Sequence, residues 1–414
     1  STTLKQADKD RFLAEARFIR AGLYFEMVKR MGGVPLITEP LTYDFSGDPT
    51  YLQRPRAKET EVYDFVIAEL EAIKGLLPNS ATVQSRATKA AALAMESRAA
   101  LYAGSIAKYS TSQLMLPNGE VGIPAALANA YFTKSLNAAK EIITDGKYSL
   151  YQKNPNLSEN FASLFTDKGN NPEVIFVKDF KLKTNKVHGF TIDNQPRSSA
   201  EEAQGGRLNP SLNLVQSFEK LDNTYASFPI TDGSGNPVYY TGITDIFAGR
   251  DARLAGTVIL PGTLFKGNRV DIWAGYQLAN GSIVTGDNFG QSKTDVLPGN
   301  PGSIQVVGGD GPVDGLEFSA QSGFYVRKYL DPAAGSGQIG TRSEVWWIRY
   351  RYAEVLLNAA EAAFQLGDLG AAAGYLKPVR DRAGLTTALT AADMTFDRIV
   401  HERKVELAFE GHEL

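Results

Sequence analysis

The sequence predicts a mainly α fold, with a helical scaffold at both ends of the chain and a large irregular, loop-rich insertion between them. Three observations carry this: apolar residues at helical spacing near both ends, an alanine-rich run around residue 95, and a centre dense in Gly, Asn, Asp, Ser and Pro. The expected scaffold covers about residues 1–150 and 343–414. The insertion covers about 151–342, and the whole of 1–414 reads as a single domain.

The first helix starts near residue 8. Leu13, Ala16, Arg20, Leu23 and Met27 follow the 3–4 spacing of one face, and Gly32-Gly33 stop it. "VPLITEP" then runs extended, held by two prolines. Further helices are expected over 58–77, about 87–108, and about 124 to Asp145-Gly146. In the insertion, short β-like runs stand out at "EVIFVKDF" (173–180), "GTVIL" (256–260) and "GFYVRKYL" (323–330), with a short helix near 210–220. A region this long with little regular structure is usually functional surface held on a scaffold.

From 343 onward the reading is helical again, with Trp346 and Trp347 opening a core helix as packing residues. In "RYRYAEVLLNAAEAAFQLGD", Arg351, Glu354, Asn358, Glu361 and Gln365 form one polar stripe on an otherwise apolar helix. Gly367-Asp368 turns the chain, and "LGAAAGYLKPVRDRAG" makes the return helix despite Pro378. This hairpin partly fits the tetratricopeptide pattern: Ala360 takes the small position of the first helix, Leu369 and Ala372 start the second, and Leu376 is its large apolar position. Gly384 stands where that pattern has a terminal proline, and "LAMESRAALYAG" (93–104) repeats the first-helix logic. The expected architecture is therefore a tetratricopeptide-like helix-pair scaffold carrying an irregular insertion with a few short β-strands.

Bulk composition narrows the function. A formal net charge of −3 leaves no electrostatic footprint for nucleic acid. With no cysteine, disulfides, thiolate metal sites and cysteine nucleophiles are all excluded. No apolar run approaches the roughly 20 residues needed to cross a bilayer as a helix.

The chemical motifs mostly dissolve on inspection. "HERKVELAFEGHEL" (401–414) opens like the HExxH zinc signature, but position 405 is Val, and His412 lies three turns beyond His401. A helix with a buried apolar side and a solvated Glu/Arg/Lys side is expected there. "GSGQIG" (335–340) spells a dinucleotide fingerprint, yet helix is expected from there to the end, with no second strand to complete a βαβ unit. "DGSGNP" (232–237) lacks the turn glycine and closing glutamate of a calcium loop and reads as a hairpin turn. No cofactor is expected, although a structural calcium ion held by scattered carbonyls would leave no signature. Glu354 and Glu361 share a helix face and could pair as glycosidase carboxylates. Two turns separate them, and Arg351 is the expected salt-bridge partner of Glu354, which favours a structural seam. No catalytic residue is assigned.

What remains are aromatic residues in irregular segments: Tyr43, Phe45 and Tyr51 after the first helix, then Tyr239, Tyr240, Trp273, Tyr276 and Phe289 in the insertion. Flat rings beside polar neighbours such as Asn280, Asp287 and Asn288 suit a ligand with apolar faces and hydroxyl rims, which describes a sugar. The plainer role for each ring is to pack the underside of its own loop. The candidate ligand-binding residues are Trp273, Tyr276, Tyr43, Tyr51, Phe289 and Asn288.

Several stretches carry a family likeness. "EARFIRAGLYFEMVKRMGGVPLITEP", "RATKAAALAMESRAALYAG", "IRYRYAEVLLNAAEAAFQLGD", "VRDRAGL" and "ERKVELAFEGHE" resemble, in order and spacing, the SusD/RagB family of nutrient-binding lipoproteins of Bacteroidetes outer membranes. The resemblance implies a non-enzymatic protein that binds oligosaccharides, or in some cases peptides. It further implies lipid anchoring at the cell surface and a SusC-like, TonB-dependent transporter as partner. Members normally begin with a signal peptide and a lipidated cysteine and continue past the last motif, so the resemblance implies an internal fragment. Family ligand residues vary between members, and no site residue transfers by motif. Two alternatives stay open: a helical-repeat module for peptide or protein ligands, and a glycoside hydrolase using Glu354 and Glu361.

Overall fold

The computed structural model describes residues 4–110, 114–201, 204–340 and 342–412. The first scaffold region contains α1 (Gln6–Met31), α2 (Glu59–Ile73), α3 (Lys89–Tyr109) and α4 (Ala128–Asp145). The insertion carries short helices, α5 (Leu157–Leu164), α6 (Phe190–Asn194), α7 (Leu212–Ser217) and α8 (Arg253–Thr257). The second scaffold region contains α9 (Tyr352–Gln365), α10 (Leu369–Arg382) and α11 (Phe396–Leu407). The sequence reading of a mainly helical protein with a loop-rich insertion holds.

The helices associate as antiparallel pairs. Arg17 and Arg20 of α1 meet Glu69 of α2, while Tyr24 and Phe25, further along α1, meet Phe65 and Tyr63, further back along α2. Ser97 and Gly104 of α3 lie against Ser135 and Phe132 of α4 in the same reversed order. Between α9 and α10 the chain reverses at Gly367, whose φ of +88° suits glycine, and Asp368 Oδ1 caps α10 by accepting from Ala371 N at 2.9 Å. α3 is buried on all sides from Ala90 to Gly104, so it has no amphipathic stripe for sequence analysis to find.

The polar stripe of α9 is a seam between helices. Arg98 meets Glu354, Ser105 meets Glu361 and Tyr109 meets Gln365, each pair separated by 256 residues, so α3 and α9 run parallel. The partner of Glu354 is therefore Arg98, with Nε and Nη2 each 2.5 Å from a carboxylate oxygen. Arg351 turns the other way, because it sits one residue before α9 in extended backbone.

Three further expectations are corrected. The face of α1 that buries is Ala14, Phe18, Ala21, Phe25 and Val28, whereas Leu13 and Leu23 are 59% and 60% exposed. Both faces are apolar, and contact with α2 and α3 decides which one is covered. Trp346 is buried and Trp347 half-buried as expected, but they do not open a helix. Trp347–Arg351 is a strand that pairs antiparallel with Val174–Lys178. These two strands are β10 and β1. "GSGQIG" is thus followed by a strand, with no helix between, and still makes no βαβ unit.

Between them come β2 (Val258–Ile259), β3 (Leu264–Phe265), β4 (Asn268–Arg269), β5 (Tyr276–Gln277), β6 (Ile283–Val284), β7 (Ser292–Thr294), β8 (Ser303–Gln305) and β9 (Tyr325–Val326). β2 pairs with β9, and the rest form the hairpins β3–β4, β5–β6 and β7–β8.

The last correction concerns α11. Its glutamates do not face solvent. Glu402 and Glu406 are fully buried, and with Glu410, also withdrawn from water, they enter an ion network that clamps the insertion to the scaffold. Arg253 binds Asp251 and Glu402, both at 2.6 Å, and Glu406 at 2.9 Å. Arg351 binds Glu406 at 2.6 Å, Glu410 at 2.7 Å and Glu173 at 2.8 Å. Arg382 joins Glu173 to Glu406, Arg380 joins Glu219 to Glu402, and the buried Lys328 meets Glu410 at 2.8 Å. Glu173, Glu219, Asp251, Arg253 and Lys328 come from the insertion; the other members come from the scaffold. Charges this deep persist only because each has a counter-charge in contact.

Candidate ligand-binding surface

Four of the six candidate residues share one cluster of hairpins. Gly308 N donates to Trp273 O at 2.9 Å and Gly290 N donates to Gly308 O at 3.2 Å, joining the approach to β5 with the β6–β7 connection. Tyr276 opens β5 opposite Val284 of β6. Asn288 lies in a turn closed by Gln291, whose Oε1 accepts from Asp287 N at 2.6 Å and Asn288 N at 3.1 Å. Below the hairpins sits a small core of Val306, Val307 and Val313, against which Val284 and Phe289 pack. Gly275 lets the strands close: a Cβ there would sit 2.4 Å from the Val284 carbonyl oxygen.

The four residues are not equivalent. Tyr276 is 38% exposed and Asn288 is exposed. Trp273 is half-buried, and its indole N–H is withdrawn from the surface without a hydrogen-bond partner. Phe289 packs on the valine core and is covered by the Arg197 guanidinium, 4.3 Å from its ring centre. Phe289 thus supports the surface, whereas Tyr276 and Asn288 present it.

Tyr43 and Tyr51 lie on the α1–α2 connection and bond within their own loop. Tyr43 Oη accepts from Gly47 N at 2.8 Å; Tyr51 Oη accepts from Asp44 N at 2.6 Å and donates to Thr42 O at 3.2 Å. These two hydroxyls brace the loop that displays Phe45, 88% exposed and 5.2 Å from Tyr43, and the Tyr51 ring itself is 44% exposed. Phe45 and Tyr239, which is 76% exposed, are the residues a choice restricted to those six passes over. Nothing in a sequence separates a displayed ring from one that braces its loop.

The carboxylates considered for glycosidic chemistry are each tied to a cation. Glu354 is bound by Arg98. Glu361 lies 3.2 Å from Arg403, and burial, against the pull of Arg403, raises its carboxyl above the usual range. Glu361, Arg403, Ser105 and His412 line two adjoining cavities of about 510 and 240 Å³ among α1, α2, α3, α9 and α11.

The two histidines of the last segment have separate surroundings. His401 packs on Tyr225, with ring centres 4.3 Å apart, and burial above all pushes it down to about 4. His412 is held well below its usual range by burial and then by Arg98 and Arg403. Among the described residues no three His, Asp or Glu side chains are grouped as metal ligands. "DGSGNP" forms the expected turn, with Asp232 Oδ1 accepting from Ser234 N and Asn236 N, both at 2.8 Å.

A scaffold of antiparallel helix pairs that carries a loop-rich surface of displayed aromatics defines the class of protein. The chain belongs to the SusD family, whose family model matches residues 172–414, more than half of it. A second family model, described as starch-binding and associating with the outer membrane, matches residues 1–101. Among solved structures, a SusD-like protein of Bacteroides fragilis shares 25% identity at a TM-score of 0.69, over 99% of this chain and 68% of that one. A SusD-like carbohydrate binding protein of the same species shares 21% at 0.66, over 99% and 67%. Surface glycan-binding protein A of Bacteroides uniformis shares 18% at 0.58, over 99% and 66%. A search of curated proteins returned no match.

Proposed function

We propose that the chain binds oligosaccharide at a cell surface and delivers it to a SusC-like, TonB-dependent transporter of the outer membrane, to which a lipid anchor would keep it adjacent. The observation that carries the binding half is the hairpin cluster around Tyr276, Asn288 and Trp273. There the exposed Tyr276 ring and the exposed Asn288 lie in neighbouring hairpins of an insertion that buried ion pairs elsewhere fasten to the scaffold. A pyranose offers such a surface a C–H face for stacking and a rim of hydroxyls for hydrogen bonds. Family membership supports the reading, as do the two fold neighbours named for carbohydrate and glycan binding.

Binding without turnover fits the pairing of Glu354 with Arg98 and of Glu361 with Arg403, which ties the two carboxylates to separate cations. The test is a panel of plant and microbial oligosaccharides against the protein. Saturable binding of at least one class is expected, with Tyr276→Ala weakening it about fivefold or more, roughly 1 kcal/mol of lost stacking. A blank glycan panel beside a peptide that binds would give the site to peptide ligands instead.

A further inference from the structure

Arg197 borders the hairpin cluster. Its guanidinium lies 4.3 Å from the ring centre of Phe289, the residue that follows the exposed Asn288. The backbone beneath it is fixed. Arg197–Ser199 form a single 3-10 turn after Pro196. Arg197 N donates to Tyr325 Oη at 3.3 Å, and that buried hydroxyl donates to Asp310 O at 2.8 Å. Ser198 N donates to Asp310 Oδ1 at 2.7 Å. A cation rooted on a braced turn and laid on an aromatic ring is in place before any ligand arrives.

What this guanidinium lacks is an acceptor. Among the described residues no carboxylate pairs with it, and no oxygen accepts from its N–H groups. The buried Asp310, on the same turn, is committed to backbone: besides Ser198 N it accepts from Asp271 N at 2.8 Å. The exposed Asp287, two residues before Phe289, makes no ion pair with Arg197. Elsewhere in the insertion Arg269 meets Asp271 at 2.8 Å and Arg327 meets Glu159 at 2.5 Å. Arg250 donates instead to the carbonyls of Phe218, Ala226 and Ser227. Arg197 is half-buried, so a guest can still reach it while solvent screens it less than a fully exposed charge.

A guanidinium carries its N–H donors in one plane, in a fork that matches the two oxygens of a carboxylate. A sugar hydroxyl offers that fork a single neutral oxygen. Given oligosaccharide binding at the hairpin cluster, on which this rests, we propose that the oligosaccharide is acidic. A uronic acid residue places its carboxylate on Arg197, and the adjoining sugars meet the Tyr276 ring and Asn288. Arg197 is then the residue that sets specificity, and Tyr276 serves acidic and neutral sugars alike.

The experiment is calorimetric titration of the whole chain with oligogalacturonate, alginate and hyaluronan oligosaccharides, each beside its carboxyl-reduced, uncharged counterpart. At least one acidic oligosaccharide should bind saturably, and whichever binds names the uronic acid. Its reduced counterpart should bind about tenfold or more weakly. Arg197→Met, which keeps an apolar cover on Phe289, should weaken the acidic ligand to the level of the reduced one and leave the reduced one unchanged. Arg197→Lys, which keeps the charge without the fork, should recover part of the difference. Tyr276→Ala should weaken both ligands, and the unfolding midpoint of the Arg197 variants should match wild type. Equal binding of acidic and reduced sugars, or undiminished acidic binding by Arg197→Met, would overturn the proposal. Binding of neutral oligosaccharides with silence toward the acidic ones would overturn the acidic specificity alone. Silence toward acidic and neutral sugars together would remove the carbohydrate site as well.

Discussion

Replacing Glu406 by glutamine tests whether the insertion is held by charge. Glu406 is fully buried and touches three guanidiniums: Arg351 at 2.6 Å, Arg253 at 2.9 Å, and Arg382. Burial alone would raise its carboxyl, yet Arg382, Arg351, Arg253 and Lys328 outweigh that and hold it well below the usual carboxylate range. Glutamine keeps the shape and removes the charge. Breaking a buried pair typically costs about 3–5 kcal/mol, because the partner charge is left uncompensated. Here each arginine keeps at least one other carboxylate, Glu173, Asp251, Glu402 or Glu410, which places the expected loss near the lower end, about 3 kcal/mol. The folded-state pKa is depressed, so this stability is fully present above about pH 4.5 and is lost as the pH falls further. The assay is urea unfolding followed by circular dichroism at pH 7 and at pH 4. The glutamine variant should be about 3 kcal/mol less stable at pH 7, with a smaller further loss on acidification than wild type. Asp381→Ala removes the exposed pair between Lys377 and Asp381 and should cost under about 1 kcal/mol. If Glu406→Gln costs no more than that control, the ion network is not what fastens the insertion.

Other outcomes follow from single contacts. Gly104→Ala should destabilise by about 1–3 kcal/mol in the same unfolding assay despite alanine's better helix propensity, since its Cβ would lie 2.8 Å from the Phe132 ring. His401 is pushed down to about 4, chiefly by burial, so between pH 6.5 and 4 the unfolded chain takes up a proton that the folded chain refuses. Stability should fall across that window, and comparing unfolding at pH 7 and pH 5 should show a shallower fall in His401→Phe. Arg98→Met leaves Glu354 buried without its bidentate partner and should cost about 3–5 kcal/mol, read by the same denaturation curves.

Local signals made the scaffold legible. Glycine stops, apolar spacing and an alanine-rich run place α1 to α4, α9 and α10 close to where they lie. What local signals miss depends on distant partners. Leu13 and Leu23 match the helical period as well as Phe18 and Phe25 do, and only the positions of α2 and α3 say which set is buried. Glu402, Glu406 and Glu410 recur every four residues, as a solvated stripe would, and their counter-charges lie as far back as Arg253 and Lys328. Trp347 is strand because residues 174–178 lie beside it, a pairing across some 170 residues that leaves no local mark. Of the candidate site, sequence picks out rings in loops. Which loops lie side by side depends on hairpin pairing: it links the segments that carry Trp273, Tyr276, Asn288 and Phe289, while Tyr43 and Tyr51 brace a separate loop.

The proposed site places oligosaccharide on the hairpin cluster and not on the helices. Hydrogen–deuterium exchange with a saturating oligosaccharide from the binding panel tests it most directly. Exchange should slow between Trp273 and Gln291 and stay unchanged across α2, α3 and α4, and the protection should be lost in Tyr276→Ala. Protection confined to the helices, or unaltered in that variant, would contradict it.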